Sequence, residues 1–283
     1  MSGNLVSAAL RGGLFTHVVG RRLLFLQEVT STMDEAARRA DSGAEEGTVV
    51  VAENQMAGRG RQGRSWVSGQ GNLYLSVVFR PTLEALPLIS ILAGVAAARA
   101  IRKVTGLDTR IKWPNDLMLD GKKTGGILVE SVVEGTNVNY AILGVGINVD
   151  LNTAHQKEIS GFATALNAAA GSAVPREDVL RQLLHDLDSL YFQVTQGRSP
   201  LPEWRTLLET LGQRVRVGWG GNFHTGLAED VDELGNLQLR LDDGRLVTLT
   251  AGDVTLHDPG LPGSGGGLGP AREGVAGSDT RVQ

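Results

Sequence analysis

The 283 residues carry 27 Lys and Arg against 31 Asp and Glu, a formal net charge of −4 with a pI near 5.8, which argues against the broad basic face of a DNA- or RNA-binding protein. No cysteine is present, so disulfides, thiolate metal sites and cysteine nucleophiles are excluded together. With 41% hydrophobic and 20% charged residues, and no basic-then-apolar leader at the N-terminus, a cytoplasmic globular protein without a membrane segment is expected.

At about 100–200 residues per compact domain, this length holds one catalytic domain and a small module. Residues 1–20 are read as an N-terminal extension. A strand at 23–26 leads into Thr30-Ser31-Thr32, where Thr32 and Glu35 match a capping box opening a helix that runs to about Ala40 and stops near Gly43. Residues 48–52 are β-branched and strand-like and deliver the chain into a Gly/Arg-rich loop at 55–64. The next strand, 73–79, closes at Pro81. Residues 88–101 are strongly apolar but shorter than the roughly 20 needed to span a bilayer, and read as a buried helix with Gly106 as its C-cap. Strands follow at 110–113, 117–119 and 127–132, the last two joined through the hairpin dipeptide Asp120-Gly121. A strand at 139–149 pairs back across 134–137. Leu180, Leu183, Leu184, Leu187, Leu190 and Tyr191 form the apolar stripe of a helix over 177–194, and a shorter helix covers roughly 202–211. From Gly212 short strands recur, at 215–217, 227–230, 237–241 and 246–249, with Asp243-Gly244 as a turn signal. A domain of residues 21–211 followed by a small β-barrel at 212–258 is therefore expected. Residues 259–283, rich in Gly, Pro and Ser, read as a disordered tail.

Three segments carry chemistry. Gly58-Arg59-Gly60-Arg61-Gln62-Gly63-Arg64 brings backbone N–H groups and guanidinium forks within reach of phosphate oxygens. A solvated basic loop is the plainer alternative, and the segment lacks the Gly-Lys-Ser/Thr ending of a P-loop. Lys112-Trp113-Pro114-Asn115-Asp116 sets Asn115 and Asp116 at a turn, toward which the Asp120-Gly121 hairpin returns Lys122-Lys123. That places a carboxylate for Mg²⁺ and an ammonium for an anion in one pocket, against the alternative of ordinary turn chemistry. Gly144-Val145-Gly146-Ile147-Asn148 puts glycine inside an apolar strand, a sign of close approach by a ligand or another backbone; the dinucleotide-binding fingerprint is not met. Together these are parts for holding a nucleotide phosphate beside a second anion, where positioning and electrostatics carry the catalysis. No Ser/His/Asp arrangement is evident, and His17, His155, His185, His224 and His257 lack metal-ligand spacing.

These motifs, together with Ser31-Thr32, the run from Gln55 to Trp66, residues 72–76, and Lys123 with 126–130, resemble those of biotin protein ligases over roughly residues 23–256. The resemblance implies an α+β fold: a mixed β-sheet backed by helices, related to class II aminoacyl-tRNA synthetases, followed by an SH3-like β-barrel. It implies attack of the biotin carboxylate on the α-phosphate of MgATP, then transfer of biotin from biotinyl-adenylate to a lysine of a biotin carboxyl carrier protein.

By the same resemblance, Ser31, Thr32 and Gln55 bind the biotin ureido ring, helped by groups near Gly58, Arg59 and Gly126, and Trp66 walls the valeryl chain. Arg61 belongs to a mobile loop and contacts carboxylate and phosphate. Lys123 lies over both anions, Asp116 near Mg²⁺ and the acceptor lysine, and Asn148 near the adenine. Arg59, Arg64, Lys112 and Asn115 complete the nucleotide side. Met33 stands where the family often has Asn or Gln, and spacing from Asp116 selects Lys123 over Lys122. With about 20 residues before the first strand, the DNA-binding domain of regulatory members is not expected; a homodimer is left open. Lipoate or octanoate attachment is the nearest rival, ahead of an Arg/Gly nucleic-acid binder and a biotin-binding regulator with a degraded site.

Overall fold

A computed structural model describes residues 14–150, 161–219 and 221–256. Alternation in the valine-rich strands builds two faces, since successive side chains point to opposite sides of a sheet. Strand β1 (Leu23–Val29) runs parallel to β2 (Val49–Gln55), and the helix α1 (Thr32–Asp41) makes the crossover that a parallel pair requires. After the two-residue strands β3 (Gly58–Arg59) and β4 (Ser65–Trp66), β5 (Leu73–Phe79) returns antiparallel beside β2. Strands β6 (Arg110–Lys112), β7 (Asp116–Leu119), β8 (Lys122–Glu134) and β9 (Asn137–Ile147) complete a mixed seven-stranded sheet of order β1-β2-β5-β9-β8-β7-β6.

On one face, Val49, Val51, Leu73, Leu75, Val77, Leu143 and Val145 pack beneath α2 (Leu88–Thr105) and α4 (Arg176–Thr195) as the main core. Helix α2 ends at Gly106, whose φ of 76° is the left-handed cap expected of it. On the other face, Val50, Val78 and Ile142 meet Met33, Ala36 and Ala40 of α1. Helix α1 covers only part of that face, and the functional site lies just past its N-terminus. The remaining helices are short, α3 (Leu166–Ala170) and α5 (Leu201–Leu207).

The C-terminal module consists of β10 (Arg214–Trp219), β11 (Asn222–Val231), β12 (Leu237–Leu241), β13 (Leu246–Leu249) and β14 (Asp253–Leu256), antiparallel in the order β13-β12-β11-β10-β14. The barrel expected here is an antiparallel sheet whose edge strands β13 and β14 do not pair among the described residues. It shares the main core through Val215, Val217, Leu237 and Leu239. Polar contacts reinforce the junction: Trp113 Nε1 donates to the Gly235 carbonyl at 2.9 Å, and Arg205 pairs with Asp230 at 2.9 Å.

Several local expectations are corrected. The N-cap of α1 is Ser31, with extended backbone and a side chain that accepts from Met33 N at 3.2 Å; Thr32 is the first helical residue and Glu35 turns to Arg38 and Arg39 instead of closing a capping box. Asp116 opens β7 rather than lying in the turn, because it pairs across with Lys112. The helix expected over 202–211 stops at Leu207, after which Leu208 bridges Ile111 and Glu209 N donates to the Ile111 carbonyl at 2.9 Å. Helix α3 and strand β14 had no sequence signal strong enough to name them. The tail at 259–283 lies outside the described residues, as does most of the N-terminal extension. Among the described residues no helix is long and apolar enough to cross a membrane.

Candidate active site

Strand register assembles the site. Lys112 pairs with Asp116, Asp116 with Gly126, Gly126 with Gly146 and Gly146 with Tyr74, so these residues form one row on the α1 face of the sheet. The two central members have no side chain. That leaves a shallow floor in the sheet, which the Trp66 indole covers: a Cβ on Gly146 would lie 2.8 Å from Trp66 Cε2, and one on Gly126 3.0 Å from Cζ3. Trp66 Nε1 is buried with no hydrogen-bond partner, an indole donor left open above a bare patch of backbone.

Trp66 is delivered by the Gly/Arg segment, which is a small hairpin in which β3 and β4 pair Gly58 with Trp66 and Arg59 with Ser65. Its tip, Arg61–Gly63, is a single 3-10 turn with Gln62 and Gly63 at φ 56° and 72°; the glycine takes this left-handed region without penalty. The three arginines diverge. Arg59 pairs with Asp34 at 2.9 Å and with Glu130. Arg61 Nη1 donates to Asn115 Oδ1 at 3.2 Å and makes a long 3.5 Å contact with the Gly252 carbonyl. Arg64 pairs with Asp253.

At one end of the glycine floor the charges converge. Lys123 Nζ lies 2.6 Å from Asp116 Oδ1 and 5.4 Å from the centroid of the Trp66 ring, while Lys112 Nζ is 3.8 Å from Asp116 Oδ2. Lys122 is exposed, so the hairpin directs Lys123 inward. Asn115 anchors this corner by donating from Nδ2 to the Ile127 carbonyl at 2.5 Å. Burial lowers the Arg61 pKa against the opposing pull of Asp253 and Asp116. An arginine keeps its proton under such a shift, so it remains a poorly hydrated cation within reach of an anion.

At the other end the groups are neutral, mostly buried and hydrogen-bonded to one another. Gln55 Oε1 accepts from Thr32 N at 2.8 Å and from Thr32 Oγ1 at 3.1 Å, while Gln55 Nε2 donates to Ser68 Oγ at 3.2 Å and Ser76 Oγ donates to Thr32 Oγ1 at 2.9 Å. Ser31 is buried beside them as the helix cap. Met33 fills the next gap, its Sδ 2.5 Å from the place of a Cβ on Gly144.

Asn148, just beyond the end of β9, is buried, and its Nδ2 donates to the Thr164 carbonyl at 3.2 Å, tying the end of β9 to the segment before α3. Residues missed in the sequence include Ser68, Gly252 and Asp253, and a buried pair in which Arg176 Nη1 reaches both Glu53 Oε2 and the Asn72 carbonyl at 3.0 Å. Of these, only Asn72 lies inside one of the sequence motifs, residues 72–76. Among the described residues no group of three or more His, Asp or Glu is arranged to hold a metal ion.

Residues 25–148 match the model of the biotin/lipoate A/B protein ligase family, and residues 210–256 that of the biotin protein ligase C-terminal domain. The bifunctional ligase/repressor BirA of Bacillus subtilis is 36% identical over 248 residues, covering 86% of this chain and 76% of that protein. The biotin–[acetyl-CoA-carboxylase] ligase of Mycobacterium tuberculosis is 34% identical over 244 residues, covering 83% and 88%. A solved structure of the Aquifex aeolicus biotin protein ligase in complex with biotin and ATP superposes with a TM-score of 0.72 at 28% identity, covering 84% of this chain and 99% of that one. The glycine-floored cleft, its cationic hairpin and the appended β-sheet thus belong to a member of the biotin protein ligase family.

Proposed function

We propose that this chain activates biotin with MgATP and transfers it to a lysine of a biotin carboxyl carrier protein. The observation that carries the reading is the row Lys112–Asp116–Gly126–Gly146 beneath Trp66, with neutral hydrogen-bonding groups at one end and paired charges at the other. A cyclic urea head, one carbonyl between two N–H groups, suits Ser31, Thr32 and Gln55, whose amide and hydroxyls supply both donors and acceptors. An aliphatic chain suits the floor of Gly126 and Gly146 under Trp66, with Gly58 at the hinge of the covering hairpin. Its carboxylate then ends at Lys123.

In the first step a biotin carboxylate oxygen attacks the α-phosphorus as the bond to pyrophosphate breaks. Two anions must meet, and Lys123 and Arg61 supply fixed positive charge where repulsion would otherwise hold them apart. Lys112 and Asn115 border the nucleotide side, Asn148 is assigned to the adenine end, and Arg59 and Arg64 hold the hairpin. In the second step the neutral acceptor amine attacks the acyl carbon, AMP leaves, and the nitrogen loses its proton to solvent; Asp116 is the residue proposed to accept a hydrogen bond from that amine. Asp116 would be the residue to help hold a magnesium ion that accompanies the phosphates, since this ion is commonly bound through one or two carboxylates together with substrate phosphates. When bound it neutralises phosphate charge. We also read the C-terminal sheet as an SH3-like barrel left open between β13 and β14, and the large sheet as related to class II aminoacyl-tRNA synthetases.

The test is to incubate the protein with ATP, Mg²⁺, biotin and a purified carrier domain. Streptavidin-detectable labelling that disappears when the acceptor lysine is replaced by arginine is expected; labelling by lipoate in place of biotin would move the chain to the sister branch.

A further inference from the structure

We propose that Asp253 of β14 is a positioning residue: by pairing with Arg64 it holds the cationic hairpin closed over the active site, making the C-terminal sheet part of the activation machinery. The proposal rests on the ligase reading for its kinetic consequence, though the clasp itself is a property of the substrate-free chain.

The carboxylate is placed by the fold. Asp253 pairs in register with Gly218 of β10, and the residue before it is wedged at the junction. A Cβ on Gly252 would lie 2.5 Å from Val217 Cγ1, 3.2 Å from the Gly218 carbonyl and 3.5 Å from Trp113 Cζ3. Position 252 is thus shut between the C-terminal sheet and the buried Trp113, and this fixes both the Gly252 carbonyl and the Asp253 carboxylate. Two arginines of the hairpin meet these consecutive residues, Arg64 at the carboxylate and Arg61 at the carbonyl. The third, Arg59, is tied to Asp34 and Glu130 on the opposite side. The hairpin is therefore strung between α1 and β8 on one flank and β14 on the other, and Arg61 lies between the two anchors, against Asn115.

Magnitude indicates what the pair does. Side chains of Arg64 and Asp253 are 58% and 50% exposed, and such pairs add little to global stability. They suffice, however, to bias a short hairpin between open and closed positions by about two- to fivefold. Arg64 is committed to Asp253, which leaves Arg61 as the hairpin's cation for the anions. Arg64 then acts through Asp253 rather than on phosphate.

A charge swap separates these roles. Arg64→Asp, Asp253→Arg and the double variant are compared with the wild type by hydrogen exchange of the amides of residues 58–66 without substrates, and by KM for ATP and kcat in biotin-dependent pyrophosphate exchange. Each single variant is expected to speed exchange of those amides and to raise KM for ATP about threefold or more, with kcat within about twofold. The double variant is expected to restore both. Unchanged amide exchange in the single variants would overturn the clasp. A double variant with restored protection but the ATP defect of Arg64→Asp would overturn the assignment of Arg64, since it would then contact the nucleotide. If the wild type shows no biotin-dependent exchange, the ligase reading fails, while the amide measurement still decides the clasp.

Discussion

Replacing Gly146 by alanine probes the glycine floor with one methyl group. The residue does not adopt a positive φ, so alanine meets no backbone penalty. The added carbon would instead stand 2.8 Å from Trp66 Cε2, 2.9 Å from Cζ2 and 3.0 Å from Nε1. In the free protein the indole, half-buried on a two-residue strand, can move outward, and thermal unfolding should stay near wild type. With biotin held between floor and indole that movement is blocked. Inserting a methyl into a filled space costs about 1–3 kcal/mol, and since 1.4 kcal/mol is tenfold in affinity, biotin binding should weaken by about 5- to 150-fold. Isothermal titration calorimetry measures this directly. Gly161→Ala, where a Cβ meets nothing within 4 Å, is the control. Wild-type affinity in Gly146→Ala would refute the floor as the bed of the ligand.

Lys123→Ala removes the ammonium 2.6 Å from Asp116; biotin-dependent pyrophosphate exchange should fall by about 100-fold or more with the melting temperature nearly unchanged, and retained activity would transfer the role to Lys112. Arg61→Gly should speed release of biotinyl-adenylate and biotinylate bystander lysines, which a pulse-chase of labelled adenylate detects; an unaltered release rate would contradict it. Burial raises the Glu209 carboxyl pKa, only partly offset by Lys112 and Arg110, and its Oε1 is buried without a partner. The folded state thus holds that proton more tightly than the unfolded one, and stability is lost as pH rises through the raised value. Glu209→Gln should therefore melt higher than wild type at neutral pH, the gain shrinking as pH falls toward the ordinary carboxyl range; a lower melting temperature at neutral pH would oppose this.

Local signals carried much of the fold. Asp120 and Gly121 do form the hairpin turn, at φ 48° and 72°, and Gly106 does cap α2. What sequence could not supply was register. Glycine inside β9 pointed to a close approach, but only pairing shows that Gly146 lies beside Gly126 and that Asp116 and Lys112 extend the same row. The extended stretch after Leu207 was hidden because its pairing partner, Ile111, lies 97 residues earlier. Helix α3 has five residues, too few for a period to emerge. In the site, Arg61, Asp116, Lys123 and Trp66 stood in recognisable motifs. Asp253 and Gly252 did not: an Asp after a Gly in a short β-module reads as turn chemistry until the fold brings it against Arg64. The Arg176–Glu53 pair is likewise silent in sequence, since a single charged residue carries no sign of burial until its partner is placed.

The most direct measurement is ATP–pyrophosphate exchange by the purified protein with Mg²⁺ in the presence of biotin, lipoate or octanoate. Exchange with biotin alone is the expected result, and would place the first half-reaction at this cleft when Lys123→Ala abolishes it. Exchange driven by lipoate or octanoate, or none with any acid, would contradict the assignment of this chain as a biotin-activating enzyme.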